Sequence, residues 1–276
     1  MSRLGVILCG FITGSVMAVP GISGGSAAMV IGVYDDLLRA VSRCFSEPRR
    51  NIPLLLRFAL GEILGLFLMA GAISWLLTTQ AEVPVRFLFL GAVAGGIPAI
   101  FRKAGVRRLN ASGLVLILSG AAAVLLLASF PEGLFTPGER GFADMALQFT
   151  GGMLLAAALV LPGISASHFL YMLGIYDAVM EKLSTLDLIP LLPLAAGTVL
   201  GIFLTARLIE TLFQRHQAGT FLVILGFMLA SLRELIPRGA EPWQILTGIP
   251  CILVGFVPVY FIQSDGKNAK PARNRE

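Results

Sequence analysis

Pro20-Gly21 and Pro162-Gly163 each interrupt a long apolar run, with no polar loop between the flanking segments. Proline lacks the N–H that a helix interior needs and clashes with the preceding turn, so each dipeptide breaks a helix. In hydrocarbon no water satisfies the freed backbone groups. Such a break survives only where protein or a polar cavity covers it. Around the two breaks, apolar stretches fall at about 4–19, 22–34, 52–78, 86–101 and 111–130. A second set falls at about 142–161, 164–176, 188–212, 219–236 and 243–262. A helix needs about 20 residues to cross a bilayer. Segments 22–34 and 164–176 are too short for that.

Composition agrees. Of 276 residues, 56% are apolar and 13% charged, where a soluble domain carries about 25% charge. A mean hydropathy of +0.84 excludes a soluble enzyme, a disordered chain and a nucleic-acid-binding protein, despite the net charge of +5. Cys9, Cys44 and Cys251 are too few and too scattered for a disulfide framework or a metal site, and no cofactor is expected. Ser2-Arg3 and the apolar run to Val19 have the outline of a signal peptide. The residues that follow recur in the second half, so the run is read as part of the fold.

Loop charge sets the expected topology. Loop 39–50 carries Arg39, Arg43, Arg49 and Arg50, and loop 102–108 carries Arg102, Lys103, Arg107 and Arg108. Loop 213–218 holds Arg215 and His216, and the tail holds Lys267, Lys270, Arg273 and Arg275. All four read as cytoplasmic. Loops 79–85 and 131–141 lack a basic excess, and loop 177–189 is acidic on balance. One arrangement satisfies every loop. Segment 4–38 enters and returns without crossing, and three crossings follow at 52–78, 86–101 and 111–130. Segment 142–176 enters and returns from the other face, and three more crossings bring the tail inside. The expected fold is an all-α polytopic membrane protein with both termini cytoplasmic.

The halves match in sequence. Pro20-Gly-Ile-Ser23 corresponds to Pro162-Gly-Ile-Ser165, and Gly32-Val-Tyr-Asp35 to Gly174-Ile-Tyr-Asp177. Gly61-Glu-Ile-Leu-Gly-Leu-Phe-Leu68 corresponds to Gly197-Thr-Val-Leu-Gly-Ile-Phe-Leu204, so Thr198 is the mate of Glu62. Three crossings per half, an odd number, put the copies in opposite orientations. The first repeat is 1–140, the second 141–265, and 266–276 is a basic tail. Inverted repeats with helices broken near the midplane are shared by many secondary transporters. At each tip a short helix starts just after the break, where its first N–H groups lack partners and its dipole is positive. Ser23 and Ser165 add hydroxyls, while Gly24 and Gly25 permit close backbone approach. This describes an anion site that needs no lysine, built from Gly21, Ser23, Gly24, Gly25 and Ser26 with Gly163, Ser165, Ser167 and His168.

These duplicated Pro-Gly-Ile-Ser hairpins, each followed by Gly-x-Tyr, resemble the bacterial polyprenyl-phosphate transporter family, PopT-like and long known only as a domain of unknown function. The resemblance runs from about residue 5 to 262, and Val19-Pro-Gly-Ile-Ser-Gly-Gly-Ser26 is its most specific part. Ala166 stands where the family more often has glycine, and Met17 where a polar residue is common. The resemblance implies a carrier that returns undecaprenyl phosphate from the outer to the inner leaflet of the cytoplasmic membrane for envelope synthesis. It implies no enzymatic activity. The residues alone imply only an anionic group at the midplane, and leave the oligomeric state open, with a dimer compatible.

Charges inside the apolar spans are the other candidates. Glu62 lies ten residues into 52–78, about 15 Å deep, where ionisable groups are costly and usually functional. It could carry a proton with the phosphate, or hydrogen-bond a broken helix. Arg57 and Arg207 sit nearer the cytoplasmic ends of their spans. Snorkelling accounts for either, and Arg207 can pair with Glu210 at i,i+3. The sharper reading makes one of them a phosphate ligand at an inward gate. His168 reads equally as a buried, hydrogen-bonding imidazole or a phosphate contact. Tyr34 and Tyr176 read as interface anchors, and Asp35 and Asp177 as helix N-caps. Two other classes compete with a lipid carrier. A carrier for a small soluble anion could use the same hairpins. An intramembrane lipid-phosphate enzyme would need a nucleophile or His cluster, and the two histidines, His168 and His216, are far apart in sequence.

The topology has a direct test. In a background without native cysteines, S184C should react with an impermeant thiol reagent added outside, and S46C should not. The reverse pattern overturns the inverted-repeat arrangement.

Overall fold

The computed structural model describes residues 2–19, 22–106, 108–131, 133, 141–185, 187–237, 239 and 241–265. The described residues form eleven α-helices and one 3-10 turn and contain no strand. In chain order they are α1 (Arg3–Met17), α2 (Gly24–Ile31), α3 (Tyr34–Ser42), α4 (Pro48–Leu77), α5 (Glu82–Ala104) and α6 (Ala111–Leu127). There follow α7 (Phe142–Val160), α8 (Ala166–Met172), α9 (Tyr176–Ser184), the 3-10 turn Ile189–Leu191, α10 (Leu192–Leu235) and α11 (Pro242–Asp265). Among the described residues, five helical stretches are long and apolar enough to cross a membrane: α4, α5, α7, the run Ile189–Leu235 and α11. The chain is an all-α, multi-pass membrane protein.

Two boundaries differ from expectation. Segment 111–130 condenses to the 17 residues of α6, while α7 at 19 residues is long enough to cross on its own. The expected loop 213–218 is a kink inside α10, confined to His216 (φ −138°, ψ 52°). Two helices meet there: the Phe213 and Phe221 rings, on either side, stack at 4.5 Å, so the chain folds back within the expected loop although no glycine or proline lies between Arg207 and Ala218.

Glycines set the tightest helix contacts. A Cβ on Gly10 or Gly14 of α1 would run into the carbonyls of Phe58 and Glu62 on α4. One on Gly61 or Gly65 would run into those of Ile7 and Phe11. Apolar burial cannot drive helices together in lipid, so close van der Waals approach through small residues does it. The second half repeats the device. Gly152 of α7 abuts the Leu194 carbonyl of α10, and Gly197 abuts that of Phe149, while Gly201 packs on Met153 and Ala156. Gly61 and Gly65 are the residues that align with Gly197 and Gly201. The remaining helices pair crosswise, α5 against α11 and α6 against the second part of α10, again through Gly91, Gly255, Gly120 and Gly226 against opposing carbonyls. The core lies between these pairs, with Ile100, Ile224, Leu225 and Met228 fully buried. Leu56, Leu60, Phe67 and Leu68 on α4 and Leu246, Leu253 and Val254 on α11 stay exposed, as apolar surface facing acyl chains would.

Polar contacts gather the basic segments at one end. Lys103 at the end of α5 pairs with Asp35 of α3 at 2.6 Å, and Gln217 beside the kink donates to the Lys103 carbonyl. Arg43 pairs with Glu210 at 2.9 Å, and Ser42 donates to the same carboxylate. Gln263 of α11 donates to the Met29 and Val30 carbonyls at the end of α2, and Arg102 donates to the Gln263 carbonyl. Asp35 is therefore an ion-pair partner in the first turn of α3; Val33 occupies the N-cap. Glu210 engages α3 and Arg43, leaving Arg207 exposed and without the expected i,i+3 pair.

The glycine contacts make a matched pair of variants informative. Gly65→Ala must push apart two backbones and should cost about 1–3 kcal/mol, lowering the melting temperature in detergent. Gly71→Ala, on the same helix, meets nothing within 4 Å. It should leave stability unchanged or gain up to about 1 kcal/mol.

Candidate functional site

The two hairpin tips touch. Ser23, the N-cap of α2, accepts from the Ser26 N–H at 3.1 Å and shares a hydrogen bond with the Ser26 hydroxyl at 3.0 Å. This is the ordinary capping pattern, in which a hydroxyl satisfies one of the helix's orphan donors. The tertiary contact is what the sequence leaves out. The Gly163 N–H, in the other tip, donates to both hydroxyls, at 3.0 Å to Ser23 and 2.7 Å to Ser26. Both serines are buried. Gly163 adopts φ +84°, and a Cβ there would come within 2.5 Å of the Phe227 backbone, so both conformation and space demand glycine. A Cβ on Gly25 would meet Pro162 and Val160 at 3.0 Å. The glycines thus permit tip-to-tip packing as well as any approach of a ligand.

Beside the tips lies a cavity of about 380 Å³. Its floor is Gly24 and Gly25 at the start of α2, with Leu159 and Val160 at the end of α7. Leu55, Phe58 and Glu62 of α4 form one wall, Val199, Ile202, Phe203 and Ala206 of α10 another, and Tyr34, Leu38 and Val41 of α3 close the side toward the basic end. Only Glu62 and Tyr34 bring polar side-chain atoms to this lining. Val199 is 56% exposed, so the cavity reaches the apolar exterior between α4 and α10. The first N–H groups of α2, on Gly24 and Gly25, precede the helical ladder and have no intrahelical acceptor. The cavity that these two glycines line has no cation among its described lining residues. Glu62 stands close by, with Oε1 3.5 Å from the Cβ position of Gly24, and makes no ion pair or hydrogen bond among the described residues.

The other candidates are placed as follows. Pro20 and Gly21 lie outside the described residues, as does the Ser167 side chain. Ser165 stands at the N-cap of α8 without capping it. His168 bonds through Nε2 to the Leu127 carbonyl at 2.9 Å, tying α8 to the end of α6. Arg57 is half-buried on α4 and Arg207 exposed on α10, and neither lines the cavity. Tyr34 is no interface anchor: it is 4% exposed, inside the protein. Sequence reasoning missed it because aromatic residues after short apolar segments usually sit at the headgroup level. The fold turns α3 inward at Gly32 (φ +87°) instead.

The chain matches a family model described as VCA0040-like, undecaprenyl phosphate translocase-like, over residues 13–247. A Vibrio cholerae protein named polyprenyl-phosphate transporter is 28% identical over 273 residues, spanning 89% of this chain and 82% of the relative. A Staphylococcus aureus protein of the same name is 30% identical over 267 residues, spanning 91% of this chain and 93% of the relative. No solved structure matches the chain.

The tip contact should show in stability. Ser26→Ala leaves Ser23 to accept from Gly163 and should cost about 1 kcal/mol. The double variant Ser23→Ala/Ser26→Ala loses the cap and orphans Gly163, and should cost about 2–4 kcal/mol, measured by thermal unfolding in detergent.

Proposed function

The chain belongs to the undecaprenyl phosphate translocase-like family, and from that premise we propose that it carries undecaprenyl phosphate, or a closely related polyprenyl phosphate, from the outer to the inner leaflet of the bacterial cytoplasmic membrane. The carried lipid then re-enters envelope synthesis. The family is one of transporters, not enzymes.

The observation that carries this reading is the cavity: apolar walls, an opening to the apolar exterior, the start of α2 at its floor and one carboxyl in its α4 wall. A lipid phosphate needs just that combination, since its headgroup must be desolvated while its chain stays in the bilayer. A small soluble anion would have no use for the apolar flank between α4 and α10, which disfavours that alternative. An intramembrane lipid-phosphate enzyme is disfavoured because His168 is committed to the Leu127 carbonyl and His216 lies on another helix, at the kink.

Residues 1–140 and 141–265 act as inverted repeats in this proposal, with 4–38 and 142–176 as re-entrant hairpins and both termini and the 266–276 tail cytoplasmic. Support comes from the glycine contacts that recur at aligned positions and from the crosswise pairing of the last helices. The serine hydroxyls on Gly163 then hold the tips together. An arriving phosphate takes over the Gly163 N–H and the first amides of α2, with Ser23, Ser26 and Ser165 as further ligands. Exchange of one set of hydrogen bonds for another keeps the broken helices satisfied throughout, which moving lipid through them requires. Arg57 and Arg207 remain candidates for the inward gate.

Moving a phosphate inward against a negative-inside potential costs about 2.3 kcal/mol per charge per 100 mV. A proton taken along reduces that cost. Glu62, unpaired beside the α2 start, is the coupling group in this scheme.

The test is transport of undecaprenyl phosphate by protein in liposomes at a series of pH values. Wild type should transport it, Gly163→Val should insert but not transport, and Glu62→Gln should transport without the wild-type pH dependence. A wild-type rate in Gly163→Val, or an unchanged pH profile in Glu62→Gln, removes the tip site or the coupling role respectively.

A further inference from the structure

A second cavity, of about 360 Å³, meets the first at α3, and Leu38 lines both. Its polar lining is Asp35, Arg39 and Arg43 of α3 with Glu210, Gln214 and Gln217 around the His216 turn of α10. Lys103 holds Asp35 at 2.6 Å. Arg39 pairs with Asp36, but both side chains are more than half exposed, which makes that pair weak. The Arg43–Glu210 pair is different, because both of its members line the cavity. Arg43 Nε and Nη2 converge on one carboxylate oxygen, at 3.0 and 2.9 Å. Nη1 has no partner among the described residues, and half of the side chain is accessible.

Glu210 does not depend on Arg43 alone. Ser42 donates to its other oxygen, and Gln214 donates to the shared one at 3.4 Å. A buried carboxylate left with no donor would be costly, but these two neutral donors remain if Arg43 turns to another anion. A phosphate monoester carries about 1.5 to 2 negative charges at pH 7 and three acceptor oxygens. Its geometry matches the planar guanidinium fork. It therefore competes with a singly charged carboxylate for Arg43 on at least equal terms. Arg39, one turn earlier on the same face of α3, adds a second positive charge.

We propose that this cavity is a second phosphate station, toward the basic end from the tips, where Arg43 exchanges Glu210 for the lipid phosphate. This rests on the reading of the chain as a polyprenyl-phosphate carrier and adds a binding site to it. Glu210 acts as an internal competitor. It takes Arg43 back when the phosphate leaves, so a guanidinium can bind the headgroup here without trapping it.

The experiment reads this one site. In full-length protein without native cysteines, in lipid nanodiscs, Gln217→Cys places an exposed thiol in the lining. Its reaction with a neutral maleimide is followed against farnesyl phosphate, farnesol and inorganic phosphate, and total binding of farnesyl phosphate is measured alongside. Farnesyl phosphate should protect the thiol, and the other two at the same concentration should not. Glu210→Gln should lower the concentration for half-protection about tenfold, and Arg43→Gln should raise it about tenfold. A gain in affinity cannot come from a misfolded variant. With Arg43→Gln already present, Glu210→Gln should change nothing further. An unchanged half-protection concentration in Glu210→Gln, or an equal gain with and without Arg43, overturns the exchange. Equal protection by farnesol or by inorganic phosphate also overturns the proposal, since the cavity then reads only the chain or serves a soluble anion. No protection in a protein that binds farnesyl phosphate removes the station and leaves the carrier reading standing. If the protein binds no farnesyl phosphate at all, the carrier reading itself falls and takes this inference with it.

Discussion

A broken helix at membrane depth has to find partners for its loose backbone groups inside the protein, and here the two breaks find them in each other. The Gly163 N–H of one tip is taken by the Ser23 and Ser26 hydroxyls of the other. That contact requires Gly163 at positive φ, with no Cβ against the Phe227 backbone, and Gly25 tight against Pro162 and Val160. It also requires that α1 and α7 deliver the tips to the same depth. The glycine contacts of α1 with α4 and of α7 with α10 hold those helices in position. Most of the architecture can be read as scaffolding for one pair of hydrogen bonds.

The same economy governs charge. At the basic end ions are paired, Arg43 with Glu210 and Lys103 with Asp35, and these pairs fix α3 against α10 and α5. In the cavity nothing is paired. Glu62 and Tyr34 stand among apolar side chains with no partner among the described residues. Arginine in that space would bind an anion strongly and release it slowly. In the proposed carrier, the lack of a cation among the described lining residues would keep recognition modest, as suits a ligand that must also leave.

How much of this was legible in the sequence depends on the distance over which the interaction acts. Pro-Gly breaks, apolar lengths and the pairing of Gly61 and Gly65 with Gly197 and Gly201 are local patterns, and they located nearly every helix. That Ser23 stands at the start of the short helix after the first break was legible for the same reason. The division of α10 at His216 was legible in the polar residues around it, although the turn is tighter than a loop. Asp35 was misread because its partner, Lys103, lies 68 positions away. Tyr34 was misread because statistics place such an aromatic at an interface, and only the turn at Gly32 sends it inward.

The sequence by itself determined that this chain must live in a membrane and that two of its apolar runs must break at Pro-Gly. Those conclusions follow from hydrophobicity, length and the missing proline N–H, which any environment leaves unchanged. Only the tertiary structure decided that the serines of one tip hold the backbone of the other, and that Glu62 and Tyr34 share one cavity. Contacts between residues on different helices depend on how helices cross, and helix crossing is set by which glycines meet which carbonyls across the fold.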